Sequence, residues 1–299
     1  MLQAILLGLV QGLTEFLPVS SSGHLVIIPY LVAWEAPPLA FDVALHAATL
    51  LAVIVYFAGD LWFLFTRTFG LGSSATEERH RARMTVLLLA VGSVPAALAG
   101  FLLEDLFAET FEDPRIAATM LFVTAFFLWV AETLRRRRAA VVHGVAVKDM
   151  TPKQARLDPG RDESTTTVVD AIVVGAAQAL AILPGISRAG ATIAAGMSRG
   201  LSREGAARFS FLLAIPIIAG AFVFQLGDLT GDTLAHSVYG GNRVIAGSIA
   251  AAISGYWAIN YLLKLVTNDD LLGFARYVLF FGALTLLGAF TWIGPPSAV

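Results

Sequence analysis

The chain has 299 residues, of which 57% are hydrophobic and only 14% charged, and its mean hydropathy is +0.75. A soluble domain carries about a quarter charged residues, so this deficit excludes an ordinary water-soluble protein and implies several membrane spans. A net charge of −2 without a basic tail gives no reason to expect nucleic acid, and the absence of cysteine excludes disulfides, zinc–thiolate sites and thiol nucleophiles.

The first apolar run, residues 2–17, lacks the basic flank and Ala-x-Ala site of a signal peptide and carries Glu15, so it reads as part of the mature fold. Pro18 and Ser20-Ser21-Ser22-Gly23 interrupt it before a second short run at 24–33. Each piece is short for a full span, which predicts a broken helical hairpin over 1–33 that enters the membrane and returns on the same side. Spans follow at 40–58, 84–103 and 115–134. Residues 135–166, opening with Arg135-Arg136-Arg137-Arg138, read as a mobile cytoplasmic linker, the arginines acting as a topogenic stop at the headgroups. A second hairpin is expected at 168–200, then spans at 206–226, 243–264 and 272–294.

The two hairpins superpose without a gap at an offset of 167 residues. Ala4, Ile5, Gly8, Gln11, Leu13, Ser20 and Gly23 match Ala171, Ile172, Gly175, Gln178, Leu180, Ser187 and Gly190; only the prolines slip, by one position. Arg67, Arg79, Arg81 and Arg83 mark the 59–83 loop as cytoplasmic, like 135–163. The acidic 104–114 loop (Glu104, Asp105, Glu109, Glu112, Asp113) and the 227–242 loop (Asp228, Asp232) read as external. Three spans then reverse the entry side of the second half. The expected fold is an all-α polytopic membrane protein built as an inverted repeat, with residues 1–134 and 167–299 as its halves. Each half has one re-entrant hairpin and three transmembrane helices, and the hairpins meet near the midplane.

Chemistry concentrates at the hairpin breaks. Glu15 and His24 lie either side of Pro18, and a turn there gathers them with Ser20, Ser21 and Ser22 around one point. Against this stand a surface carboxylate for Glu15, a hydrogen-bonded helix-start histidine for His24, and N-cap duty for one serine. Arg188, between Ser187 and Gly190-Ala191-Thr192, carries a charge whose burial costs ~2.5–3.5 kcal/mol on insertion scales, so it should face a cavity and an anion. Its fork suits phosphate oxygens beside a helix N-terminus, and an ion pair with Glu15 is the structural alternative, compatible with a substrate-free site. Asp42 and His46, one turn apart, are weaker candidates. Gln11 and Gln178 are expected to bond between helices, and His80, His143 and His236 to be solvated in loops.

Gln11-x-x-x-Glu15, Leu-Pro-Val-Ser-Ser-Ser-Gly-His24, Pro184-Gly-Ile-Ser-Arg188-Ala-Gly-Ala-Thr192 and Phe209-Ser-Phe-Leu-Leu-Ala-Ile-Pro216 resemble the signature segments of the undecaprenyl-diphosphate phosphatase family, over essentially the whole chain. The resemblance implies a multi-pass plasma-membrane enzyme that hydrolyses undecaprenyl (polyprenyl) diphosphate to the monophosphate and phosphate. Such an enzyme recycles the lipid carrier for cell-wall polymers and is linked to bacitracin resistance. The resemblance also implies a divalent cation, Mg²⁺ or Ca²⁺, near Glu15, and a site open to the external face. Glu15, Ser21, His24 and Arg188 would then be catalytic, with Ser20, Ser22, Ser187, Arg188 and Thr192 on the substrate. One acidic position of the first motif is Gln11 here, which leaves a single metal carboxylate.

Three nucleophiles stay open: Ser21 activated by His24, water activated by Glu15 or His24, and His24 itself. The rival function is an inverted-repeat transporter or flippase of an anionic lipid or small anion, for which Arg188 serves equally. The Glu/Ser/His set in one hairpin only favours the enzyme. A third class, the other membrane lipid phosphatases, expects a second histidine where this chain has Ala194. Membrane lipids are the surroundings in every case, and the sequence leaves oligomerisation open.

Overall fold

The computed structural model describes residues 1–71, 75–102, 113–156, 158–225 and 238–291. These form helices α1 (Leu2–Phe16), α2 (Ser21–Leu31), α3 (Leu39–Tyr56), α4 (Ala58–Thr68), α5 (Thr76–Leu102) and α6 (Pro114–His143). After a linker come α7 (Val168–Leu180), α8 (Arg188–Ser198), α9 (Arg203–Phe224), α10 (Asn242–Asn268) and α11 (Leu272–Thr291). Among the described residues six helices are long and apolar enough to cross a membrane: α3, α5, α6, α9, α10 and α11. The chain is an all-helical, multi-pass membrane protein. The acidic loop residues Glu104, Asp105, Glu109, Glu112, Asp228 and Asp232, and His236, lie outside the described residues.

Helix ends follow local chemistry. Asp113 caps α6 by accepting from Arg115 N at 2.8 Å with Pro114 in the first turn, and Gly144 closes it at φ 64°. Thr167 and Asp170 form a capping box on α7, and Ser202 caps α9. Two helices extend by two turns or more beyond the expected spans. The charged turn Thr76–Arg83 continues α5, supported by Glu77–Arg81 and Arg67–Glu78 pairs at 3.2 Å, so His80 is exposed on a helix. The arginine run and His143 continue α6.

The short half-helices pack against the opposite half of the chain. α1 lies along α10, and α7 lies along α5. Both seams are backbone-close: a Cβ on Gly8 would meet Gly247 O at 2.1 Å, and one on Gly175 would meet Gly92 O at 2.3 Å. Small residues at membrane helix contacts permit this approach. α6 meanwhile packs on α11, α8 and α2, and the breaks of the two hairpins touch, since a Cβ on Gly23 would lie 3.1 Å from Gly185 Cα. Phe16, Phe57 and Phe211 fill the core beneath, with Phe16 and Phe211 edge to face at 5.6 Å.

Within the linker, residues 158–166 make specific contacts with the second half of the chain. Arg161 N donates to Gly200 O at 2.9 Å and Ser202 N to Arg161 O at 2.7 Å. Asp158 accepts from the Arg203 backbone and side chain, and Glu163 holds Arg208 at 2.7 Å. Polar composition suggested solvent, but these groups satisfy the charged ends of α8 and α9. The arginine run is likewise more than a stop signal. Arg135 is buried against Glu132 at 2.7 Å, Arg136 reaches Asp270 at 2.7 Å, and Arg138 donates to Met197 O.

Candidate active site

Glu15 lies in the last turn of α1 and is 7% exposed. Oε1 accepts from Arg188 Nη2 at 2.8 Å. Oε2 accepts from Ser21 Oγ at 2.7 Å and from Gln11 Nε2 at 3.1 Å, and His46 Nε2 lies 3.7 Å away. The hairpins thus bring Glu15, Ser21 and Arg188 to one point, as the sequence motifs suggested, and add His46. Gln11 serves Glu15 within its own helix rather than joining two helices, and its Oε1 is buried with no hydrogen-bond partner. Gln178, its match in the second hairpin, is buried with neither amide atom bonded.

Both charges sit at unfavourable ends of their helices. A carboxylate in the last turn of α1 and a guanidinium on the first residue of α8 each oppose the local helix dipole. Their mutual pairing offsets this, and an anion at Arg188 or a cation at Glu15 would suit the dipoles better.

His24 turns elsewhere. It is 2% exposed, and Nδ1 lies 2.7 Å from the Ser20 carbonyl, an acceptor, so Nδ1 carries the proton. Nε2 then accepts from Tyr277 O–H at 2.8 Å, and Phe281 stacks on the ring at 4.5 Å. No hydrogen bond joins His24 to Ser21 or Glu15 among the described residues. Its backbone bond is the helix-start arrangement weighed as the plain alternative. Ser20 adopts φ 73°, ψ 102°, which aims its carbonyl at His24; its Oγ caps Gly23 N at 3.2 Å and lies 3.4 Å from Ser22 Oγ. Strain of this kind is worth about 1–3 kcal/mol and concentrates at functional sites.

In the second hairpin Ser187 caps α8 through Gly190 N at 3.0 Å. Thr124 on α6 clamps the turn, accepting from Ser187 N at 2.8 Å and donating to Gly185 O at 2.9 Å. Thr192 is fully buried, 2.6 Å from Ser210 Oγ, and it donates to Arg188 O. It shapes the turn that carries Arg188 rather than facing the Glu15 cluster. Asp42 stays apart, with Oδ1 buried and unbonded, while its carbonyl orients His46 Nδ1 at 2.8 Å. Sequence reasoning missed Tyr277 and Thr124. Each lies on a span far from either motif, and only packing brings it in.

The family of the bacitracin resistance protein BacA matches this chain over residues 4–284. The chain belongs to the BacA family. It is 41% identical to the undecaprenyl-diphosphatase of Mycobacterium avium over 95% of this chain and 96% of that one. It is 39% identical to undecaprenyl-diphosphatase 2 of Stutzerimonas stutzeri, covering 96% and 97% of the two chains. A third relative, the undecaprenyl-diphosphatase of Moorella thermoacetica, is 39% identical over 95% of each. Membership over nearly the whole length spans both hairpins, so the Glu15 and Arg188 halves of the cluster both lie within the BacA match.

Proposed function

We propose that this BacA-family chain hydrolyses undecaprenyl or a similar polyprenyl diphosphate to the monophosphate and phosphate, at the meeting point of its two hairpins. The observation that carries the reading is the partly buried Ser21–Glu15–Arg188 chain of bonds, at 2.7 and 2.8 Å. The terminal phosphate takes over the Arg188 guanidinium, which grips two oxygens, and approaches the first N–H groups of α8. Glu15, released from Arg188, accepts the Ser21 proton. Ser21 Oγ forms a bond to the terminal phosphorus while the bridging P–O bond breaks and the lipid monophosphate leaves. Water then cleaves the phosphoserine, and the proton held on Glu15 departs with the products. His24, whose Nε2 is occupied by Tyr277, fixes the Ser20 turn that presents Ser21. A transporter has no evident use for a serine poised on a carboxylate.

Among the described residues no three His, Asp or Glu side chains converge. At the cluster the protein offers a cation one carboxylate, Glu15, to which Gln11 turns its amide nitrogen. That set fits Mg²⁺ or Ca²⁺ arriving on the diphosphate, since Mg²⁺ is commonly held by one or two carboxylates with phosphate oxygens and water. Bound there, it would neutralise charge on the diphosphate.

The same reading takes the halves as an inverted repeat with re-entrant hairpins in the plasma membrane, the site open to the external face. Support comes from the 15 and 13 residues of α1 and α7, about 20 Å each at 1.5 Å per residue and short of a ~30 Å hydrocarbon core, and from their reciprocal packing on α10 and α5. Because the chain has no cysteine, single cysteines report sidedness cleanly. One at Glu109 should label from outside intact cells and one at Lys153 only after permeabilisation; labelling of both from one side would remove the inverted topology. Phosphate release from a C55 isoprenyl diphosphate by the purified protein, with and without chelator, tests the activity itself.

A further inference from the structure

We propose that the linker end of α6 carries a binding site for an acidic phospholipid, separate from the hairpin cluster and independent of the reaction assigned to it. A cleft of 490 Å³ lies there, lined by Leu134, Arg137, Arg138, Val141, Val142 and, from across the linker, Pro159, with Ser198 at its edge. Leu134, Arg137, Arg138, Val141 and Val142 stand at i, i+3, i+4, i+7 and i+8, so one helix face presents two guanidinium groups amid apolar side chains.

Three features point to an anionic amphiphile. First, cationic charge exceeds its partners. Arg137 is exposed and bonded to no carboxylate among the described residues, and Arg138 Nε is buried with no acceptor. Arg138 and Arg161 converge on Gly200, where a Cβ would lie 3.5 Å from Arg138 Nη1 and 3.9 Å from Arg161 Nε. Asp170 is shared by Arg161 and Arg199, and Asp158 is bonded to Arg203. Second, a charged donor buried without an acceptor is costly, and a phosphate oxygen would supply one. Third, Val141 is 81% and Val142 66% exposed in the turn beyond the arginines. A helix surrounded by water alone would carry polar residues there; the glycerol-ester part of a lipid lying over them accounts for valines. Phosphate on the arginines and a chain running back along Leu134 toward the membrane span match the order of groups in a phospholipid of the leaflet on the linker side, with Val141 and Val142 flanking the phosphate on its other side. Juxtamembrane arginines attract such lipids electrostatically.

The test is native mass spectrometry of the intact purified chain in detergent, titrated with dioleoylphosphatidylglycerol or dioleoylphosphatidylcholine. Phosphatidylglycerol should be retained over phosphatidylcholine. Arg137→Ala should lower its retention about fivefold, the size expected for one cation at an anionic headgroup. Val142→Asp should lower it as well, with every arginine in place, and Arg115→Ala at the other end of α6 should leave it unchanged. Arg137 and Val142 are exposed, so both variants should melt as wild type; if Arg137→Ala does not, Val142→Asp decides. Equal retention of the two lipids, wild-type retention in both α6 variants, or loss in Arg115→Ala overturns the proposal. Displacement by millimolar inorganic phosphate also overturns it, by showing a plain anion site.

Discussion

The two hairpins share a frame and differ in how they turn. Each ends its first half-helix, breaks at a proline and caps its second half-helix with a serine, Ser20 or Ser187. The first places its left-handed residue at Ser20, φ 73°, and the second at Gly185, φ 94°. In the second, the strain-free glycine lets the turn press on α6, where any Cβ at Gly185 would sit 2.0 Å from Ala117 O. In the first, a non-glycine residue bears the strain, and its carbonyl is held by His24, itself held by Tyr277. On the proposed function the difference separates roles: the second hairpin mounts Arg188, and the first is a tensioned turn in which Ser21 bonds to Glu15.

That division predicts a graded set of losses. Glu15→Gln keeps shape but removes the base, so initial rates of phosphate release should fall about 10²–10⁴-fold, and added Mg²⁺ or Ca²⁺ should restore little. A wild-type rate would make Glu15 structural. Arg188→Ala should lower the rate about 10²–10³-fold, as expected for a donor to developing phosphate charge, and Arg188→Lys should recover little because a point charge lacks the fork. Near-normal turnover in the lysine variant would reduce the requirement to charge alone.

Smaller effects sharpen the contrast between the turns. Tyr277→Phe keeps the ring and loses one hydrogen bond, about 1 kcal/mol, so kcat should drop up to about fivefold with KM little changed. Ser187→Ala should cost about 1 kcal/mol of stability through its cap, read in thermal melts. Gln11→Glu should be tolerated and shift the metal-activation curve to lower concentration.

The fold was largely legible because membrane burial writes itself into hydropathy: six spans follow from apolar runs of sufficient length. The meeting of Glu15 with Arg188 was legible as the alternative to an anion site, because an inserted charge needs a partner and the chain supplies one in each hairpin. Three things were not. His24 stands three residues from Ser21, but nearness along the chain does not give ring direction, and Tyr277 sets that from 253 residues away. His46 looked marginal because its helix register against Glu15 depends on packing. The linker's contacts were hidden because composition does not show that Arg161, Asp158 and Glu163 bond to the ends of α8 and α9.

The central claim is that Glu15 and Arg188 act as one device on a lipid diphosphate. The measurement is phosphate release from a C55 isoprenyl diphosphate by wild type, Glu15→Gln, Arg188→Ala and the double variant, all purified and folded. Residues that act as a unit are strongly non-additive, so the double variant should be no slower than the worse single one. Two independent losses that multiply, or wild-type release from either single variant, would contradict the account.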